Sequence, residues 1–282
     1  MPGNESHRSS RQYKDTLFRA LFSDTGRFLE LYNAVANDNI PADTVIAPCL
    51  SNPLLARYND LAAIIGSNLL VFFEHSSTVV ANMPLRMLQY AVDMLYSTVI
   101  NKDALYGSNQ LTVTTPVFYL LYNGEQRFDR SELRLSESFA AATAEPSLEL
   151  MVKVVDINYE SGEPALLRSE SLRGYSYLIY EIRKNLRIGK ARDTAITTAV
   201  TTCIHKGVLE KYLTEQYKEV IAMFNYEYDA EVEKRVLRQE GRQEGRQEGR
   251  LEGMDIIVSF LREGLTIEEA YIKAQKALTE TQ

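Results

Sequence analysis

The chain has 282 residues, enough for one sizeable domain and a smaller appendage at roughly 100 to 200 residues per domain. Hydrophobic residues make up 45% and charged residues 24%, the balance of an ordinary folded chain. A formal net charge of −7 argues against a protein that coats nucleic acid by charge alone. It leaves room for a local basic groove, or for a divalent cation that bridges carboxylates and phosphate.

Cys49 and Cys203 stand far apart without metal-ligand spacing, so neither a disulfide framework nor a zinc site is expected, and a reducing cytoplasm is. The opening "MPGNESHRSSRQYKD" lacks the apolar core of a signal peptide. The longest apolar stretch, Leu61 to Phe73, runs 13 residues and is broken by Gly66-Ser67-Asn68. Roughly 20 are needed to cross a bilayer, so no membrane partner is expected.

From Tyr13 to Ala36, apolar residues recur at helical spacing, and Gly26 is the expected break between two helices. Residues 37 to 53 carry three prolines and read as loop with at most a short strand. Two strand-like runs follow, 57 to 65 and 69 to 77, joined by the turn residues Gly66-Ser67-Asn68 as a hairpin. "NMPLRMLQYAVDMLYSTVI" predicts a helix with Asn82 at its N-cap, Pro84 in its first turn and a stripe of Leu85, Leu88, Val92, Leu95 and Val99.

"PVFYLLYNG" (116 to 124) is continuously apolar, as in a central strand covered on both faces, and 148 to 159 reads as a further strand. Helices are expected over 165–187, 193–206 and 208–224, with Gly207 breaking the last two. Strands interleaved with helices predict a mixed α/β sandwich. The tail repeats R-Q-E-G every four residues from 238 to 253. In a helix that period sets like charges at i,i+4, and each glycine costs roughly 0.8 to 1 kcal/mol relative to alanine. It reads either as a charged linker or as a helix that finds its charge partners on another chain in a homo-oligomer. Two short amphipathic helices follow, with Thr266 and Glu269 spaced as a capping box. The expected organisation is a domain over 11–228, the repeat segment over 229–254 and a helical hairpin over 255–282.

The chemistry concentrates where "LLVFFEHSS" ends on Glu74 and His75. If Ile65 pairs with Leu69 across the loop, facing residue numbers sum to 134 and Asp60 lies opposite Glu74. Like charges so placed destabilise a sheet, and a hard cation such as Mg²⁺, which prefers oxygen ligands, removes the penalty. Alternation puts Ser76 on the face of Glu74 and turns the His75 side chain to the other. The competing reading is an edge hairpin whose acids sit in solvent. A register shift of one residue would favour that alternative.

"YNDLAAIIGSNLLVFFEHSSTVVANMPLRMLQY" resembles the signature block of the recombination-promoting nuclease, transposase-like family within the PD-(D/E)XK superfamily. Members read N-D, an apolar hairpin, E-H-Q-S-T and then N-M-P-L-R. The likeness extends to "KDTLFRALFSD", "FLELYNAV", "TPVFYLLYNG", "LELMVKVVDINY" and the E-G-R repeat, and so covers most of residues 11 to 253. The resemblance implies an α/β restriction-endonuclease-like mixed sheet flanked by helices, with an extended helical C-terminal tail. It also implies Mg²⁺-dependent cleavage of DNA, with Mn²⁺ as an alternative ion, in a setting of DNA recombination or mobile elements.

On that resemblance the catalytic residues are Asp60, Glu74 and Ser76, and the metal ligands are Asp60, Glu74 and the main-chain carbonyl of His75. Ser76 stands where the superfamily carries lysine and this group glutamine, and its shorter hydroxyl reaches a nucleophile only through an added water. Arg86 and Gln89, on the following helix, are the candidates to supply the missing group. Glu30, on the first helix, is a candidate further acid, with a solvated helix face as the alternative. His75 reads as hydrogen-bonded scaffold for the strand end. Two other functional readings stand beside the nuclease: a DNA-binding or regulatory relative that has lost turnover at Ser76, and an oligomerising scaffold built on the tail.

Overall fold

The computed structural model describes residues 16–49, 61–98, 102–141 and 144–224, and in the tail 242, 253–254, 256–257, 259–261, 263–269 and 272–273. The chain divides into two compact units, Met1–Asn225 and Tyr226–Gln282.

In the first unit, Leu17, Phe18, Leu21 and Phe22 turn one face of α1 (Thr16–Phe22) into the core. A second helix, α2 (Thr25–Ala36), begins where Asp24 caps it, its carboxylate accepting from the Arg27 amide at 2.9 Å. The break therefore falls at Ser23-Asp24 and not at Gly26, which lies inside the first turn of α2. A side chain that satisfies an otherwise orphaned amide decides this boundary, and the glycine does not.

The six-stranded sheet has the order β1-β2-β3-β4-β6-β5. Its strands are β1 (Ile46–Pro48), β2 (Leu61–Ile65), β3 (Leu69–Ser76), β4 (Thr115–Tyr122), β5 (Glu132–Arg134) and β6 (Met151–Asp156). Strands β3, β4 and β6 run parallel, while β1, β2 and β5 pair antiparallel with their neighbours. This mixed sheet flanked by helices is the α/β architecture expected. Strand β4 lies between β3 and β6 with its last five residues buried, as its unbroken apolar run requires. The strand expected over 148–159 shortens to β6. β5, three residues long, carries too little pattern to be read from sequence.

The two sheet faces bury different cores. Val71, Phe73, Tyr119, Leu121 and Val155 pack with α1, α2 and the C-terminal helices. Leu70, Phe72, Phe118, Leu120 and Val152 pack with α3 (Met83–Thr98). Met83, Met87 and Ala91 form the buried stripe of α3, joined by partly buried Leu88 and Leu95, while Leu85 and Val92 are exposed. The expected stripe was thus rotated: apolar residues occupy most of this helix's circumference, so periodicity alone does not choose the buried face. Val99 lies outside the described residues.

The helix expected over 165–187 is interrupted. α4 (Ala165–Arg168) ends at Ser169, whose hydroxyl caps α5 (Glu170–Arg187) by accepting from the Leu172 amide at 3.0 Å. α6 (Arg192–His205) follows, and Gly207, at φ 71°, turns the chain into α7 (Glu210–Glu215). Helical residues resume over 217 to 224 after a break at Gln216. Among the described residues no helix is long and apolar enough to cross a membrane.

In the second unit the expected capping box forms. Glu269 accepts from the Thr266 amide at 2.9 Å, and its own amide donates to the Thr266 hydroxyl at 3.4 Å. The Thr266 amide and hydroxyl, both donating to the Glu269 carboxylate, hold it below the usual range. Gly264, at φ 90°, makes the turn between the two helical stretches. Of the R-Q-E-G repeat, all but Arg242 and Gly253 lies outside the described residues.

Candidate active site at the hairpin end

The hairpin adopts the register read from its loop. Ile65 pairs with Leu69 and Leu61 with Phe73, so facing numbers sum to 134. Asp60, the next residue, lies outside the described residues, as do the others of the expected strand from 57 to 60. Glu74 and His75 follow the last described pair near the end of β3, and both are buried, at 4% and 6% exposure.

Alternation along β3 sends them to opposite faces, as expected. The Glu74 carboxylate looks toward α3 and is ion-paired with Arg86, whose guanidinium also reaches the Tyr90 hydroxyl at 3.4 Å. Arg86 stands on α3 one turn after Met83, so the residue that seats the helix in the core also sets the height of the guanidinium. A carboxylate this buried needs a cation against it, and Arg86 supplies that charge in the protein as it stands. Gln89 is exposed on the same helix.

His75 turns to the other face. Its Nε2 lies 3.2 Å from the Tyr175 hydroxyl of α5, and its ring stacks on Phe18 at 4.9 Å. That is scaffolding for the strand end, as the sequence suggested, and it joins α1, β3 and α5. The Ser76 hydroxyl is held by its own turn: it donates to the Thr78 carbonyl at 2.8 Å and accepts from the Thr78 amide at 3.2 Å.

Glu30 corrects the sequence reading in a different way. Its carboxylate is not a solvated face: it accepts from the hydroxyls of Ser169 and Ser171, at 2.8 and 2.7 Å, and from the Ser171 amide at 3.1 Å. An anion at the start of α5 complements the helix dipole and its free amides. This partner lies 139 residues away, beyond the reach of any local pattern.

Beyond the hairpin, the parallel strands end side by side. The Asn123 amide donates to the Ser76 carbonyl at 3.0 Å, and the Ile157 amide to the Tyr122 carbonyl at 2.8 Å. Gly124 is obligatory there, since a Cβ would stand 2.2 Å from the Tyr122 hydroxyl oxygen and 2.4 Å from the Ser77 carbonyl oxygen. That hydroxyl donates to the Gln126 carbonyl at 2.6 Å, and burial, aided by Asp156, raises its pKa. Nothing local in the sequence signals this close approach to Ser77 and Tyr122.

The described residues contain no group of three His, Cys, Asp or Glu side chains that could hold a metal ion; Asp60 is not among them. No protein-family model matches the chain, and no curated protein or solved structure matches it.

Proposed function

We propose that the chain is a Mg²⁺-dependent DNA endonuclease of the PD-(D/E)XK class, in which Asp60 and Glu74 hold the cation. The observation that carries this reading is the hairpin register. Continued by one residue, the pairing that sets Leu61 against Phe73 would set Asp60 across from Glu74. A buried carboxylate already neutralised by an arginine fits a site that accepts positive charge, and carboxylate oxygens suit a hard divalent ion. Bound there, Mg²⁺ supplies a coordinated water of lowered pKa and offsets charge on the phosphate.

The chain's own residues divide the remaining work. Ser76 spends its hydroxyl on Thr78, so it is not the group that orients the nucleophile. Arg86, close enough to touch Glu74, would take the place of the superfamily's lysine: with a cation holding the carboxylate, its guanidinium would oppose the charge that builds on a phosphate. The main-chain carbonyl of His75 is the further oxygen ligand that the family likeness suggests. Its side chain stays on the other face, holding the strand end.

A plasmid-nicking assay tests the proposal. Nicking that requires Mg²⁺ and disappears in Asp60→Ala and in Glu74→Ala is the expected result, and nicking that survives both substitutions removes the site. One observation favours a second reading, a DNA-binding relative without turnover: the Ser76 hydroxyl is engaged by its own turn. That reading predicts DNA binding without nicking by the parent chain and a gain of nicking in Ser76→Gln.

A further inference from the structure

The stretch "RKNLRIGKAR", residues 183 to 192, carries five cations and no carboxylate within ten residues of a chain whose net charge is −7. It covers the last turn of α5 and the bend into α6, where Gly189 takes φ 82°. Its first members face a cleft of about 190 Å³ beyond the ends of β4 and β6, lined among others by Asn123, Asn158, Arg183 and Arg187. The cleft floor is built: Arg183 donates to the Asn158 side-chain oxygen at 2.9 Å and to the Asn123 carbonyl, and the Asn158 amide group donates to the Gly124 carbonyl at 3.0 Å. Asp156 in turn accepts from Asn158 at 2.8 Å.

Arg187 is placed differently. It is 65% exposed, and its pair at 2.7 Å is Glu125, itself 61% exposed. Exposed pairs of this kind contribute little, because water screens them, so a phosphate can replace Glu125 at little cost. Glu160, exposed, is the other acid of the cleft lining. Lys190 follows three residues on, after Gly189 in the bend before α6. Open α/β sheets bind ligands outside the carboxyl ends of their strands, and this cleft lies there. β4, whose end floors the cleft, is the direct neighbour of the β3 end that carries Glu74. The Glu74 carboxylate turns toward α3 and the cleft opens on the α5 side, so the two share an edge of the sheet and not a face.

We propose that this cleft and the basic bend that follows α5 hold the backbone of duplex DNA flanking the cleavage site, at the same edge of the sheet as Glu74 but on its opposite face, with Arg187 exchanging Glu125 for a phosphate oxygen and Lys190 contacting the next. The assignment rests on the nuclease reading, and an acidic peptide is the rival occupant.

Fluorescence anisotropy of a labelled duplex with the full chain in Ca²⁺, titrated over salt, tests it. Arg187→Ser/Lys190→Ser is expected to weaken binding at least tenfold and to flatten the log–log salt dependence by about 1.8, or about 0.9 per lost phosphate contact. Glu125→Gln, which frees Arg187, is expected to tighten binding by roughly threefold, a direction that loss of folding would not produce. Lys211→Ser/Lys218→Ser removes the same charge elsewhere and is expected to leave the slope unchanged. Glu74→Ala is expected to abolish nicking while keeping the slope, so failure of the metal site and failure of the cleft give different results. Parent-like binding by the Arg187/Lys190 variant, an equal loss in the Lys211/Lys218 control, no duplex binding by the parent, or equal affinity for poly-glutamate would each overturn the proposal.

Discussion

Removing the Arg86 guanidinium takes the cation of a partly buried ion pair away from the Glu74 carboxylate. At an effective dielectric near 20, opposite unit charges about 4 Å apart attract by about 4 kcal/mol. Truncating one partner of a wholly buried pair costs about 3 to 5 kcal/mol. Glu74 has a side-chain exposure of 5%, but Arg86 is 43% exposed, so water screens part of the attraction. Arg86→Met is therefore expected to cost about 2 kcal/mol at neutral pH. Glu74→Gln in the same background is expected to recover part of that, a coupling of about 1 kcal/mol or more. The chain has no Trp and 17 Tyr, so urea unfolding is followed by far-ultraviolet circular dichroism and tyrosine fluorescence. If the carboxylate pocket accepts a divalent ion, Arg86→Met gains more stability from Mg²⁺ than the parent, about 1.4 kcal/mol at ten times its Kd. A loss under about 0.5 kcal/mol with no response to Mg²⁺ would refute both the energetic and the chemical argument.

Three further outcomes follow from other contacts. Glu30→Ala, which removes three acceptor contacts at the start of α5, is expected to cost about 1 to 3 kcal/mol in urea unfolding. Loss of nicking with full stability would instead make Glu30 a catalytic acid. Gly124→Ala forces a methyl against the Ser77 carbonyl and the buried Tyr122 ring. It should lower Tm by several degrees, at about 2 to 4 °C per kcal/mol for a domain of this size; an unchanged Tm would contradict the close approach. The Cys203 thiol, pushed up to about 12 by burial with Glu181 adding and Lys206 opposing, is neutral and shielded. It should resist thiol reagents at pH 8 until the protein unfolds. Because its folded pKa is raised, the stability it contributes is whole below about pH 9 and is lost as pH rises toward 12, by at most about 1.4 kcal/mol per pH unit.

How far the sequence could be read depended on the range of the interaction. The β2–β3 register was legible because a short loop and a period of two leave one pairing that buries Val71 and Phe73 together with Leu61 and Ala63. The opposite facing of Glu74 and His75 follows from the same period. The seating of α3 was not legible: Leu85 and Val92 are as apolar as Met83 and Met87, and the choice between them is made in three dimensions, by the sheet and by the Arg86 contact to Glu74. The contacts of Glu30 were not legible for a similar reason, since its partners Ser169 and Ser171 stand at the start of a helix about 140 residues later. The break at Ser169 was hidden because the apolar period runs through it, while one hydroxyl restarts the helix. Arg86 was named from the sequence, with Gln89, as a candidate for the group missing at Ser76; its pairing with Glu74 was not legible there.

The central claim is that Asp60 and Glu74 share one cation. Crystals soaked in Mn²⁺ test it most directly, through the anomalous signal of the ion. The account predicts one peak bounded by both carboxylates, with the Arg86 guanidinium withdrawn from Glu74. No peak there, with Asp60 out of reach of Glu74 and Arg86 still paired to it, would contradict the account.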